Sequence, residues 1–289
     1  MATLKAIRRR IASVRSTQQI TRAMKLISAA RLRRAQEALL SARPYHEALR
    51  RVADSVLSTA PQMAAPAENA ARKVLIIVVA ADRGLAGGYN VNLLRLAEQE
   101  ARRGATDGVE GEFFAIGRKA LDHFRRTQQP LAGERVNNIP RLATVGLARE
   151  IRQLVLEQWR TGAICEAGLV YSVFRSALSQ RPTYEKLLPI EPPAENGSTP
   201  PASTDYLIEP SAAELVPAVL QSYVEAAILH ALLEAEASEH GARMTAMDAA
   251  TNNAVDMIER LTLEMNRARQ AAITKELMDI VGGAEALRG

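Results

Sequence analysis

The chain has 289 residues, 47% of them apolar but only 4% aromatic, so its core must come mainly from aliphatic helix contacts. The single cysteine, Cys165, excludes an internal disulfide framework and a cysteine-based zinc site, and no apolar run approaches the roughly 18 residues of a membrane span. The net charge of +5 is lopsided: residues 1–60 carry thirteen Lys and Arg against three acids, the rest 24 against 29, which points to an anionic partner.

Residues 1–60 contain no glycine and one proline, Pro44, and residues 218–281 contain one glycine, Gly241, and no proline. Two breaker-poor ends flank a breaker-rich middle, the layout of two long helices enclosing an inserted domain. In the first end, Leu4, Ile7, Ile11 and Val14, then Ile20, Met24 and Ile27, then Leu32, Ala35 and Leu39 each keep helical spacing. The phase slips after Val14 and after Ile27, so a strict heptad zipper is not expected. Pro44 is expected to kink or end this helix.

The middle predicts an α/β domain. Residues 73–80 are a continuous aliphatic strand, followed by the loop Asp82-Arg-Gly-Leu-Ala-Gly-Gly88 and a helix over 91–103. A second strand is predicted at 112–116, helices at 118–126 and 147–160, and further strands at 169–174 and 184–190. Strands alternating with helices imply a small, mostly parallel sheet. Residues 191–204, rich in Pro, Ser, Ala and acids, read as a mobile linker.

The last helix is the cleanest. Met244, Met247, Thr251, Ala254, Ile258, Leu261, Met265, Ala268 and Ala272 run 3-4-3-4, a coiled-coil seam of small and soft residues. A continuous helix over 218–281 would be a rod of about 95 Å, so an elongated fold is expected. Neither helix buries its stripe alone; an antiparallel pair with the middle as a hairpin insert is the simplest solution.

Little here resembles catalytic machinery. The Gly-rich loop follows a strand and precedes a helix, but G-x-x-x-x-G-K-[ST] and G-x-G-x-x-G are both missing, which favours a tight turn with positive φ over a nucleotide cradle. Ser13, Ser16 and Ser28 have no histidine nearby in sequence, and Glu234, Glu236 and Glu239 read as a solvated helix face. The histidines His46, His123, His230 and His240 lack metal-site spacing. The basic N-terminal helix has no aromatic before Tyr45 and no nucleic-acid motif, so contact with acidic protein surfaces is favoured over nucleic acid or lipid. Cofactor, metal and catalytic sites are all expected to be absent.

The two ends also carry a resemblance. Residues 10–25, Arg-Ile-Ala-Ser-Val-Arg-Ser-Thr-Gln-Gln-Ile-Thr-Arg-Ala-Met-Lys, continuing through Leu32-Arg-Arg-Ala-Gln36, resemble the N-terminal helix of the gamma subunits of F-type ATP synthases. Residues 238–254 and 261–277, followed by Ile280-Val-Gly-Gly-Ala-Glu285, resemble their C-terminal helix. The loop through Tyr89 and Asn90 and the segment Asp205-Tyr-Leu-Ile-Glu-Pro210 are similar to further family segments.

The resemblance implies a rotor rather than an enzyme. Residues 1–60 and 211–289 would form the antiparallel coiled coil, 73–190 the α/β foot, and 191–210 a linker with a foot segment. Implied partners are three alpha and three beta subunits around the shaft, the epsilon subunit and the membrane c-ring, with no nucleic acid and membrane contact only through the c-ring. Met24, Lys25, Arg243, Arg267, Arg269, Gln270, Thr274 and Glu276 fall at positions facing the beta subunits. Ile280, Val281 and Leu287 would form a smooth bearing tip, and Tyr206 and Glu209 would face the c-ring. The implied location is the cytoplasmic face of a bacterial inner membrane. Departures from the family pattern are Ala86 where many members have Cys, Met265 where Tyr is common, and Ile208 in place of a frequent aromatic. The Cys-bearing insertion of chloroplast relatives is also missing.

Overall fold

The computed structural model describes residues 4–59, 65–66, 70–136, 144–190, 209 and 211–286. Two compact units emerge, one from Met1–Ile27 with Met244–Gly289 and the other from Ser28–Arg243.

The second unit is built on β1 (Lys73–Val79), whose uninterrupted aliphatic run reflects burial on both sides. Val74, Ile76 and Val78 belong to one core cluster, and Leu75, Ile77 and Val79 to the other, as the two-residue period of a strand requires. Around β1 lie β2 (Glu110–Ile116), β3 (Leu131–Arg135), β4 (Glu166–Phe174) and β5 (Gln180–Leu188), in the order β3-β2-β1-β4-β5. All neighbours pair parallel except β4 and β5, which form an antiparallel hairpin. Pro182 is tolerated in β5 because that strand is an edge. β3 is the strand that the sequence does not reveal: five residues at the other edge, with Gly133 and two charges, carry no hydrophobic pattern.

Helices α2 (Tyr89–Thr106) and α3 (Arg118–Arg126) pack Leu93, Ala97 and Phe124 on one face of the sheet. The other face takes Ile151 and Val155 of α4 (Val145–Arg160), and Val224 and Ile228 of α5 (Ala212–Ala286). It also takes Ala53 and Val56 of α1 (Leu4–Thr59). Winding runs outward from β1 through β2 to β3, then returns through α4 to β4, so its direction reverses between β1 and β4. Gly117, which starts α3, is fixed by geometry: its φ is +90°, and a Cβ there would lie 2.1 Å from Ala80 O.

Three expectations are corrected. Of the two outcomes expected at Pro44, a kink or an end, the second does not occur: α1 continues to Thr59. A proline inside a helix costs about 3 kcal/mol; burying His46, Ala53 and Val56 beyond it offsets an amount of that order. α5 is long and apolar enough, by length and composition, to cross a membrane, although no uninterrupted apolar run exists. Half of that apolar window is buried inside the protein, the state of a core helix. Finally, Glu234, Glu236 and Glu239 are not a solvated face: Glu234 is 2% exposed and accepts the Phe174 N–H at 2.7 Å. The linker predicted at 191–204 lies outside the described residues.

Candidate protein-interaction surface

In the first unit α1 and α5 run antiparallel, with Ile7 and Ile11 packed in one cluster with Ile258, Leu261 and Met265. Their contact carries the first clue to function. Within this unit the buried and half-buried positions of α1 run Leu4, Ile7, Ile11, Val14, Gln18, Thr21 and Lys25, an unbroken 3-4 spacing, with Met24 half-buried beside the last of them. The phase slip inferred from the sequence is therefore a change of residue type and not of register. From Gln18 to Lys25 the seam is polar, while Ile20, Leu26 and Ile27 point outward, Ile20 at 57% and Leu26 at 64% exposure.

The polar layer is satisfied from within. The Thr21 and Thr251 hydroxyl oxygens lie 2.8 Å apart, and each reaches a carbonyl of its own helix, Gln18 O at 3.0 Å and Met247 O at 2.7 Å. Lys25 Nζ donates to Asp248 Oδ1 at 2.6 Å. Such a layer contributes less burial than an aliphatic one, and it fixes which residues face each other. It also leaves an apolar strip on the outer face of α1, among exposed Arg15 and Arg22, with no partner in this unit.

The second clue lies at the far end of α5. The seam holds through Ala268, but Ala272, predicted to continue it, is exposed. Ile7, the first buried residue described in α1, already clusters with Leu261, and Met265 and Ala268 pack against that cluster. Every residue from Arg269 to Gly283 is exposed. Ile273, Leu277 and Ile280 repeat at helical spacing along that stretch, and Ile280 is 68% exposed. A solitary helix with an apolar face in water gains little from its own hydrogen bonds; such a face is stabilised by a partner.

The third clue is negative. In open α/β sheets small ligands bind beyond the carboxyl ends of the strands where winding reverses. Here α5 occupies that position. Ser238 Oγ donates to Ser172 O at 2.8 Å, Tyr89 Oη donates to Ala235 O at 3.2 Å, and Glu234 accepts from Phe174 N. Arg243 donates to the carbonyls of Arg83 and Gly84 in the Gly-rich loop at 3.3 and 3.4 Å and pairs with Glu239 at 2.6 Å. The N-terminus of α3, where a phosphate would sit, receives the Asp82 carboxylate at 2.9 Å from Arg118 N. Of the three loop glycines only Gly87 takes positive φ, at +58°; the other positive φ belongs to Leu85, at +63°. Among the described residues, no group of three His, Cys, Asp or Glu could hold a metal ion.

Comparison with known proteins resolves what this surface belongs to. A family model described as ATP synthase matches residues 3–287. The ATP synthase gamma chain of Pelotomaculum thermopropionicum is 48% identical over 289 residues, covering 99% of this chain and all of the relative. This chain belongs to the ATP synthase gamma chain family. Gamma chains of Moorella thermoacetica and Geobacter metallireducens are 44% and 42% identical, each over the full length of both chains. Among solved structures, a chain of the Euglena gracilis mitochondrial ATP synthase OSCP/F1/c-ring assembly matches with a TM-score of 0.70 at 21% identity, over 98% of this chain and 94% of that one. A rotor chain from the same organism matches with a TM-score of 0.63 at 19% identity, over 93% and 98%. At those identities the likeness shows the shared fold: two long helices around a mostly parallel sheet.

The family positions named from the sequence fall into distinct environments. Arg267, Arg269, Gln270, Thr274 and Glu276 are all exposed on α5 and, among the described residues, form no ion pair. Ile280 and Val281 lie on the same exposed stretch. Met24 is half-buried beside the polar layer, and the Lys25 ammonium is engaged by Asp248. Arg243 is 8% exposed, with its guanidinium held inside the second unit. Glu209 is exposed, whereas Tyr206 and Leu287 lie outside the described residues. Sequence reasoning assigned no role to Thr21, Asp248 and Tyr89, and it read Glu239, the partner of Arg243, as solvated. The signal for Thr21 was available, since it continues the spacing of Ile7, Ile11 and Val14.

Proposed function

We propose that this chain is the central, non-catalytic shaft of an ATP synthase, turning inside a ring of three alpha and three beta subunits and resting on a membrane c-ring with an epsilon subunit. The full-length match at 48% identity to an ATP synthase gamma chain carries this reading. The exposed apolar end of α5 supports it: residues 269–283 are all exposed, and Ile273, Leu277 and Ile280 offer an aliphatic face to a surrounding partner. A shaft that must pass three equivalent surfaces requires weak, repeated contacts, and rim charges and shallow aliphatic faces provide them.

In this reading Met24, Arg267, Arg269, Gln270, Thr274 and Glu276 meet the beta subunits, and Ile280, Val281 and Leu287 form the bearing. Lys25 and Arg243 act from within the chain. Lys25 sets the α1–α5 register through Asp248, and Arg243 holds the loop Arg83–Gly84 against α5. Tyr206 and Glu209, with the α/β domain over 73–190, form the foot at the c-ring. The complex lies on the cytoplasmic face of a bacterial inner membrane. ATP hydrolysis and synthesis take place on the alpha and beta subunits, and rotation of the shaft couples them to ion flow.

The test is affinity capture of the full chain from its native host, with mass measurement of the intact assembly. One copy per three alpha and three beta subunits is expected. A nucleic-acid scaffold is the rival reading; capture of generic DNA with salt-dependent affinity, and no alpha or beta subunits, would establish it instead.

A further inference from the structure

Two of the four histidines, far apart in sequence, meet where α1 and α5 pack within the second unit, and a third, His240, lies ten residues further along α5 near Arg31 of α1. His46 of α1 and His230 of α5 stack face to face, ring centroids 4.3 Å apart and planes within 8°. One turn further along α5, the Glu234 carboxylate lies 3.7 Å from His230 Nε2 and 3.7 Å from the Arg43 guanidinium of α1. His240 is buried further along α5. In all three rings Nδ1 is buried and makes no hydrogen bond among the described residues.

We propose that these three histidines make the α1–α5 contact of the second unit an acid-released clasp, packed while the rings are neutral and opened when they take up protons. An imidazolium carries a proton on both nitrogens, and Nδ1 faces no acceptor in any of the three sites. Each added proton therefore creates a buried, half-satisfied cation. In the stacked pair, two such cations would lie at van der Waals contact.

The surrounding charges do not cancel this. Around the stacked pair Glu47 of α1, Glu185 of β5 and Glu234 favour the cation, and Arg43 and Arg50 of α1 oppose it. Around His240, Arg31 of α1 and Arg243 oppose the cation, and Glu239 is already paired with Arg243. Desolvation is the largest influence on each ring: it holds His46 below its ordinary 6.5 and brings His230 and His240 to about 4. The sign follows from linkage. A lowered folded-state value gives stability that is present above 6.5 and lost as pH falls toward 4. Opening lets the rings titrate normally, so acid draws α1 away.

The experiment uses the full chain. Amide hydrogen exchange, corrected for intrinsic rates, is followed over residues 30–56 between about pH 7.5 and pH 5, in the wild type and in H46Q/H230Q/H240Q. In the wild type, opening is expected to rise about 15-fold for each of His230 and His240 between pH 6.5 and pH 5, while β1 amides stay protected. The variant is expected to stay within about threefold across the same range. No rise in the wild type, an equal rise in the variant, or a parallel loss of protection in β1 each overturns the proposal. If the variant does not fold, ring-carbon NMR titration of the wild type decides. Rings still neutral at about pH 5.5 support the clasp, and rings titrating near 6.5 overturn it.

Discussion

Lys25 Nζ and Asp248 Oδ1, 223 residues apart in sequence, are 2.6 Å apart across the two long helices. Both side chains are about half exposed, so the pair is worth about 0–1 kcal/mol and serves register more than stability. The neighbouring Thr21–Thr251 layer is more buried, and replacing both threonines with valine is expected to stabilise the chain slightly. A double-mutant cycle on Lys25→Ala and Asp248→Ala, read by urea melts, is expected to give a coupling under about 1 kcal/mol. A coupling above about 2 kcal/mol would assign the pair a structural role that its exposure does not support.

Arg243 and Glu239 form a nearly buried pair, and Arg243 also holds two carbonyls of the Gly-rich loop. Arg243→Ala strands Glu239, whose carboxyl burial already pushes above its ordinary range. A loss of about 3 kcal/mol is expected, with faster exchange of loop amides 83–88. A loss under about 1 kcal/mol would show that the pair is not needed to hold the loop.

Glu234 offers a pH test with a definite sign. Burial raises its pKa, although the Phe174 N–H and Arg43 oppose the shift. A raised folded-state value means a contribution present below the unfolded value of 4.5 and lost as pH rises through the folded one. Wild type should therefore gain on Glu234→Gln as pH falls toward 4.5, measured as the difference between melts at about pH 7 and pH 5. A difference that stays constant with pH would rule out a raised value.

Gly117→Ala is expected to cost about 3 kcal/mol or more, because a Cβ would meet Ala80 O and the φ of +90° is strained for any side chain. Gly146→Ala, where a Cβ meets nothing within 4 Å, is the matched control and is expected to be neutral or mildly stabilising. Equal midpoints for the two variants in a thermal melt would contradict the close approach.

Truncation after Gln270 removes residues 271–283 of α5, all of them exposed, with the end that follows. The melting midpoint of the isolated chain is expected to move by less than about 2 °C, with weaker capture of the alpha–beta ring. Each of Ile273, Leu277 and Ile280 contributes up to about 2 kcal/mol when a partner buries it. A large drop in the midpoint would mean that this end is held by the chain itself.

Much of this architecture is legible in the residues. The scarcity of breakers over 1–60 and 218–281 specifies two long helices, and the aliphatic run at 73–80 specifies a strand covered on both faces. Both follow from local rules, namely backbone freedom and the period of buried side chains. The seam of α5 was equally plain up to Ala268, since Met247, Ala254 and Leu261 are buried at heptad spacing.

Only the tertiary structure decided which face of α1 is inside. Hydrophobic periodicity assigns Ile20 and Ile27 to the core, but Thr21 and Lys25 are there instead, because Thr251 and Asp248 supply their partners from the far end of the chain. The same holds for Glu234, His46 and His230, whose burial depends on neighbours that no local pattern reveals. The lopsided charge of the first 60 residues keeps its meaning as an anion-seeking surface. What folding added is its geometry: the polar contacts are turned inward in pairs, and the basic and apolar side chains are left outward for another protein to meet.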